Sequence, residues 1–357
     1  MKNRHSDYMQ WAKLHSKARY NLATSGVGAF PLRELDITID RLEINGDSTY
    51  GYAPLQQAIA AKCGVDPSNV VAAAGTSMAN HLAMAALLAP GDEVLMEHPT
   101  YELLIATARY FGAAVRSFPR LESEDYALDP AVIRKAVGPK TKLIVVTNLH
   151  NPSSVLTPDA TLHEIGEIAG SVGAHVLVDE VYLDAVYENT PRSSFHLGPE
   201  FIVTNSLTKI YGLSGLRCGW ILAQPELAQR MWRLNDLFGS IPAHAAELLS
   251  VIAFQHLDKI RERARRVVEA DRAVLAKFLS EHAPTRVSAV KTPFGTTSFL
   301  GLKKGTAGEF LTKLRKDHET TVVPGRFFGM ENHFRIGMGV NTEMFTEGLN
   351  RIAQTLN

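Results

Sequence analysis

The sequence predicts an α/β chain: a large domain with a mostly parallel sheet between helices, plus a smaller α+β domain. Three observations carry this reading. Strand-like apolar runs alternate with helix-like stretches from Val70 to Val203, the pattern a parallel sheet requires. Runs such as Leu143-Ile144-Val145-Val146 are apolar at every position, as expected for strands covered on both faces. After Trp220 the composition changes, and Pro225 to His282 reads as largely helical with a break at Gly239-Ser240-Ile241-Pro242. At 357 residues two domains are expected rather than one. Residues 1–45 are assigned to an N-terminal arm and part of the small domain, 46–235 to the large domain, and 236–357 to the C-terminal small domain.

Composition narrows the function. The chain is 45% apolar, and its 37 Lys+Arg balance its 37 Asp+Glu. There is no basic footprint for nucleic acid and none for an acidic membrane. Two cysteines, Cys63 and Cys218, give neither a disulfide framework nor a metal-ligand spacing, so no metal is expected. Met1 to Tyr20 is charged and has no apolar core of a secretory signal. The longest apolar run, around Met84 to Ala89, is too short to span a bilayer. The expected location is the cytoplasm.

Taken in order, residues 1–20 read as a helix with Tyr8, Trp11, Leu14 and Ala18 on one face. A turn-rich loop, Asn21 to Gly28, follows. Tyr50-Gly51-Tyr52-Ala53-Pro54 leads into a helix over Leu55 to Cys63. Val70 to Ala73 is a strand, Ala74-Gly75-Thr76-Ser77 a turn, and Met78 to Ala89 a helix. Strand, glycine turn and helix start together form an anion site, because unpaired N–H groups and the positive helix end converge there. The hydroxyls of Thr76 and Ser77 can equally cap the helix. Asp92 to Met96 is the next strand. Pro99-Thr100-Tyr101 opens a helix to Phe111, with a strand at Ala113 to Phe118 and a helix at Asp129 to Val137. The strand ending at Val146 runs into Thr147-Asn148-Leu149-His150-Asn151-Pro152-Ser153-Ser154, beyond the carboxyl end where α/β sheets bind ligands. A helix over Pro158 to Ser171 precedes a buried strand that ends in Asp179-Glu180-Val181-Tyr182.

Phe201-Ile202-Val203 leads into Ser206-Leu207-Thr208-Lys209-Ile210-Tyr211-Gly212-Leu213-Ser214-Gly215-Leu216-Arg217. A desolvated lysine near other cations loses proton affinity and can attack a carbonyl as a neutral amine. The hydroxyls and Arg217 suit a phosphate. The cluster Arg261, Arg263, Arg265 and Arg266 reads as a solvated helix face. Val287 to Val290 and Thr297 to Leu302 are strands, Thr306 to Lys316 a helix, and Val322 to Gly329 a loop. His333 to Met338 is a short strand before a last helix.

Ser-Leu-Thr-Lys followed by Gly-Leu-Arg-x-Gly-Trp resembles the lysine segment of class I/II aminotransferases, pyridoxal-phosphate (PLP) enzymes of fold type I. From residue 21 onward the other motifs come in that family's order: glycine cup, aromatic, Asn-Pro, Asp-x-x-Tyr, lysine, arginine. The resemblance implies that Lys209 carries PLP, and that Gly75, Thr76, Ser77, Ser206 and Arg217 hold its phosphate. It implies that Tyr101 stacks on the ring and Asp179 faces the ring nitrogen. Asn151 and Tyr182 face O3′. Arg335, in Phe-Arg-Ile-Gly, corresponds to the arginine that clamps the substrate carboxylate. Gly26 matches a glycine beside that carboxylate, or is there for backbone freedom. Tyr50 matches a tyrosine that crosses a homodimer interface toward the neighbour's phosphate, or is a packed aromatic; its spacing from the glycine departs from the common form. Ser154 stands where the Asn-Pro motif usually has glycine, so a different turn is expected there.

The activity implied is transfer of an amino group between an amino acid and a 2-oxo acid. The alternative is another PLP enzyme of the same fold: a β-lyase, racemase, decarboxylase or cyclising synthase. A nicotinamide dehydrogenase would need a Gly-x-Gly-x-x-Gly turn, which Gly75-Thr76-Ser77 does not supply. A PLP-binding regulator would need an added DNA-binding domain, for which there is no room before residue 21.

Overall fold

The computed structural model describes residues 5–35 and 37–356. The chain opens with α1 (Asp7–Leu14) and β1 (Tyr20–Asn21), then α2 (Ala53–Cys63). Strands and helices next alternate: β2 (Val70–Ala74), α3 (Gly75–Leu87), β3 (Glu93–His98), α4 (Glu102–Tyr110), β4 (Ala114–Pro119), α5 (Pro130–Ala136), β5 (Thr141–Thr147), α6 (Asp159–Ser171) and β6 (His175–Asp179). The pair β7 (Phe201–Ser206) and β8 (Cys218–Leu222) brackets the lysine loop. Three helices follow, α7 (Pro225–Asn235), α8 (His244–Gln255) and α9 (Leu257–His282). The chain ends with β9 (Val287–Ala289), β10 (Thr297–Leu302), α10 (Ala307–His318), β11 (Thr320–Thr321), β12 (Val323–Pro324), β13 (His333–Gly337) and α11 (Thr342–Leu356).

A seven-stranded sheet has the order β2-β8-β7-β6-β5-β3-β4, and β8 alone runs against its neighbours. Val176, Leu177 and Val178 at its centre have no exposed surface. Each such side chain contributes roughly 1.5–3 kcal/mol by leaving water. This covering of both faces is why the strands read as unbroken apolar runs. A second sheet, β12-β13-β10-β9, is antiparallel. One core extends from Phe30 to Ile260, and another joins Leu22 to side chains between Leu275 and Ile352.

The N-terminal helix differs from its expectation. Residues 1–4 of the expected stretch lie outside the described residues. From residue 5 onward the helix is confined to Asp7–Leu14, and Leu14 is exposed. Beyond it the chain is drawn straight. Tyr20 N–H donates to the Glu319 carbonyl, and β1 pairs in parallel with β11. Tertiary pairing thus overrides helical periodicity. The strand β8 and the one-residue break at His256, between α8 and α9, are also absent from the sequence reading.

Candidate active site

A cavity of about 430 Å³ opens at the carboxyl ends of β5, β6 and β7. Thr147, Asp179 and Ser206 are the last residues of those strands, and all three line it. The parallel sheet therefore delivers them to one edge without any sequence proximity.

One end is built for an anion. Gly75 opens α3 at φ +77°, and a Cβ there would lie 2.3 Å from an Arg217 guanidinium nitrogen. A Cβ on Gly219 would come within 2.4 Å of the Gly75 carbonyl carbon. Only glycine lets β8, Arg217 and the head of α3 meet. No side chain caps α3, whose N-cap is Ala74. Thr76 Oγ1 and Thr208 Oγ1 are buried without a partner among the described residues. Ser77, Ser206 and Arg217 line the same cavity. Arg217 itself takes φ 51° and donates to the Ala74 carbonyl at 3.1 Å. Uncapped amides, orphaned hydroxyls and a guanidinium together fit a phosphate.

The middle of the cavity holds Asp179. Burial pushes its carboxyl up to about 6, against hydrogen bonds that favour the charge. Those bonds come from Asn80 Nδ2 at 2.9 Å and the Val181 N–H at 3.1 Å. Asn80 is fixed in turn, because its Oδ1 accepts from Thr204 Oγ1 at 2.7 Å. A buried carboxylate held this way calls for a cationic partner, such as a protonated ring nitrogen. Tyr101, Asn151 and Tyr182 line the same space.

Lys209 faces this carboxylate. Burial lowers its proton affinity below the ordinary lysine range, and Arg335 and Arg217 push the same way. Its Nζ donates to Ser25 Oγ at 3.0 Å. Gly26 lines the cavity, and a Cβ there would sit 3.0 Å from the Lys209 carbonyl oxygen. Its φ is not left-handed. The requirement is therefore close approach of two backbones, sealed by Val27 N–H to Lys209 O at 2.7 Å. Arg335 is 1% exposed; its NH1 donates to Asn151 Oδ1 at 2.9 Å and its NH2 to the Tyr8 hydroxyl at 3.1 Å.

Tyr50 is not brought to this cavity within one chain. It is half exposed, and its hydroxyl donates to Asp236 at 2.9 Å. Ser154, expected to alter its turn, adopts the left-handed φ of 65° that favours glycine. Its hydroxyl lies 2.8 Å from the Thr297 carbonyl and 2.9 Å from Thr297 Oγ1, tying the Asn151 loop to β10. Ser25, Asn80 and Tyr8 are functional candidates the sequence reading missed. Asn80 carried a signal, since it lies four residues after Thr76 on one helix face. Ser25 and Tyr8 carried none. Among the described residues no cluster of His, Cys, Asp or Glu could hold a metal, and no helix is long and apolar enough to cross a membrane.

Comparison with known proteins agrees with this geometry. Capreomycidine synthase of Streptomyces vinaceus is 29% identical over 95% of this chain and 90% of its own. Aspartate/prephenate aminotransferase of Thermus thermophilus is 26% identical over 86% and 82%. A PLP-dependent aminotransferase of Streptococcus suis superposes with TM-score 0.93 at 27% identity, covering 100% of this chain and 98% of that one. A PLP-dependent cyclase, OrfR, does so with TM-score 0.89 at 25% identity, covering 100% and 98%. The model of aminotransferase class I and II matches residues 40–352, and the chain belongs to that PLP-dependent, fold type I family.

Proposed function

We propose that the chain is an aminotransferase that moves an amino group between an amino acid and a 2-oxo acid. The observation that carries this is the convergence of Lys209, Asp179 and Arg335 on one cavity. Bound PLP supplies an electron sink that weakens the Cα–H bond of an amino acid. Gly75, Thr76, Ser77, Ser206 and Arg217 would hold its phosphate, and Tyr101 would cover its ring. Asp179 would keep a proton on the ring nitrogen, and Asn151 and Tyr182 would hold O3′. Arg335 binds the α-carboxylate, because a planar guanidinium offers it two parallel donors. That orients Cα toward Lys209 Nζ, which burial keeps able to take the proton.

A homodimer in the cytoplasm belongs to the same reading. Ile39, Ile44, Leu237 and Ile241 are exposed apolar side chains near Tyr50 in sequence or in space, a surface suited to a second copy that would bring Tyr50 to the neighbouring site. Cys63 and Cys218 are both free thiols, as a reducing compartment maintains.

A second reading, a cyclising synthase, is favoured by the near full-length likeness to capreomycidine synthase and by the likeness to the cyclase. Both readings share removal of the Cα proton. Holoenzyme mixed with a panel of amino acids separates them: a 2-oxo acid with pyridoxamine phosphate supports transamination, and a ring-closed product without oxo acid supports the second. Lys209→Ala tests what they share. Borohydride should fix the cofactor covalently in the parent and not in the variant, and turnover should fall by at least roughly 10²–10⁴-fold. Parent-like turnover in Lys209→Ala would end the proposal.

A further inference from the structure

The Tyr8 phenol is a polar group of the cavity that has no part in the roles above. Tyr8 lines the cavity, is 8% exposed, and comes from α1 at the opposite end of the chain from Arg335. Arg335 NH2 donates to its oxygen at 3.1 Å. A phenol that accepts still has its own proton to give. Arg335 NH1 is engaged with Asn151, whereas its Nε is buried with no partner among the described residues.

The ring is held firmly. Its edge-on contacts put Tyr101 at 5.3 Å and Phe327 at 5.6 Å between centroids. The helix that carries it is capped by Ser6, whose oxygen accepts from Met9 N–H at 3.1 Å, and the Ser6 hydroxyl donates to Glu102. A phenylalanine would make the same ring contacts, so packing alone does not account for a hydroxyl placed beside a guanidinium in a ligand cavity.

We propose that the Tyr8 O–H is a further donor to the substrate α-carboxylate, which it shares with Arg335. The proposal rests on Arg335 being the carboxylate clamp. It makes the head of the chain part of the anion site, and it lets the enzyme separate amino acids from amines that lack a carboxylate.

The test compares holoenzyme with Tyr8→Phe by following the absorbance of the bound cofactor. Two probes share a skeleton: 2-aminoisobutyrate, which has the carboxylate and no Cα hydrogen, and isopropylamine, which lacks the carboxylate. Tyr8→Phe should weaken 2-aminoisobutyrate by about tenfold or more, the loss of one hydrogen bond to a charged group. Isopropylamine should be unchanged, and the apo-protein should unfold within about 2 °C of the parent. Equal weakening of both probes would show a packing role and overturn the proposal, and so would no change in either. If the parent bound both probes equally, the Arg335 clamp itself would fall, and the Tyr8 role with it. If the parent showed no cofactor absorbance, the PLP reading would fall first.

Discussion

Arg120→Met should destabilise the protein far more than an ordinary substitution. Arg120 and Glu97 form an ion pair at 2.8 Å in which neither side chain has exposed surface. Arg120 also donates to the Tyr126 carbonyl at 2.7 Å and reaches Thr157 Oγ1 at 3.4 Å. Burial raises the Glu97 carboxyl, and Arg120 is the largest influence holding it down. Without the guanidinium, Glu97 keeps only the Thr147 N–H at 2.7 Å and the Thr147 hydroxyl at 2.6 Å. Breaking a buried pair from one side costs about 3–5 kcal/mol. At about 2 °C per kcal/mol for a chain of this size, the apo-protein should melt about 6–10 °C lower. The deficit should grow from pH 5 to pH 8, because the orphaned carboxyl can relieve its charge only by taking a proton. Glu97→Gln added to Arg120→Met keeps the acceptor for Thr147 and removes the charge, so it should restore at least half of the loss. A single-variant loss under about 1 kcal/mol, or a double variant no better than the single, would refute the reasoning.

Two further outcomes are expected. Glu180 is buried, accepts from the Ser194 N–H and hydroxyl, and is pushed up to about 7 by burial. A carboxyl that binds its proton more tightly when folded loses stability as pH rises from its unfolded value, near 4.5, to 7. Glu180→Gln should therefore gain on the parent across that window, by up to roughly 3 kcal/mol at pH 7.5, measured as the gap between the two unfolding curves. A gap that does not change with pH would exclude this. Gly337→Ala should detach the N-terminal arm, because a Cβ there would lie 1.4 Å from the Thr24 carbonyl oxygen. A loss of about 3 kcal/mol or more, with new proteolytic cutting near residues 16–30, is expected; parent-like resistance would contradict it.

The large sheet was legible because its strands are buried on both faces and so read as apolar runs. The residues at their ends were singled out because the motifs around them resemble the family's in order: a lysine among hydroxyls, an aspartate closing a strand, an arginine behind a Pro-Gly loop. The structure brings Lys209, Asp179, Asn151, Tyr182, Tyr101 and Arg335 to one cavity. What stayed hidden depends on tertiary pairing. Tyr8 looked like one member of a helical stripe, and only its approach to Arg335 gives its hydroxyl a partner. Ser25 is one hydroxyl in a polar loop until Lys209 meets it. The end of α1 was obscured because the pull of β11 on Tyr20 comes from about three hundred residues away. Tyr50 lies away from the cavity of its own chain, against Asp236, where nothing in its local sequence would have placed it.

The early and late parts of the polypeptide meet at and beside the cavity: Tyr8 accepts from Arg335 within it, and Leu22 accepts from Gly337 N–H next to it. A ribosome releases the chain head first, so the pairing of Tyr20 and Asn21 with β11 and of Leu22 with Gly337 waits until those late segments have emerged. Asp179 and Lys209 are synthesised long before that. A nascent chain can thus assemble its vitamin-holding half early, while the grip on the amino acid closes last, when the tail returns to meet the head.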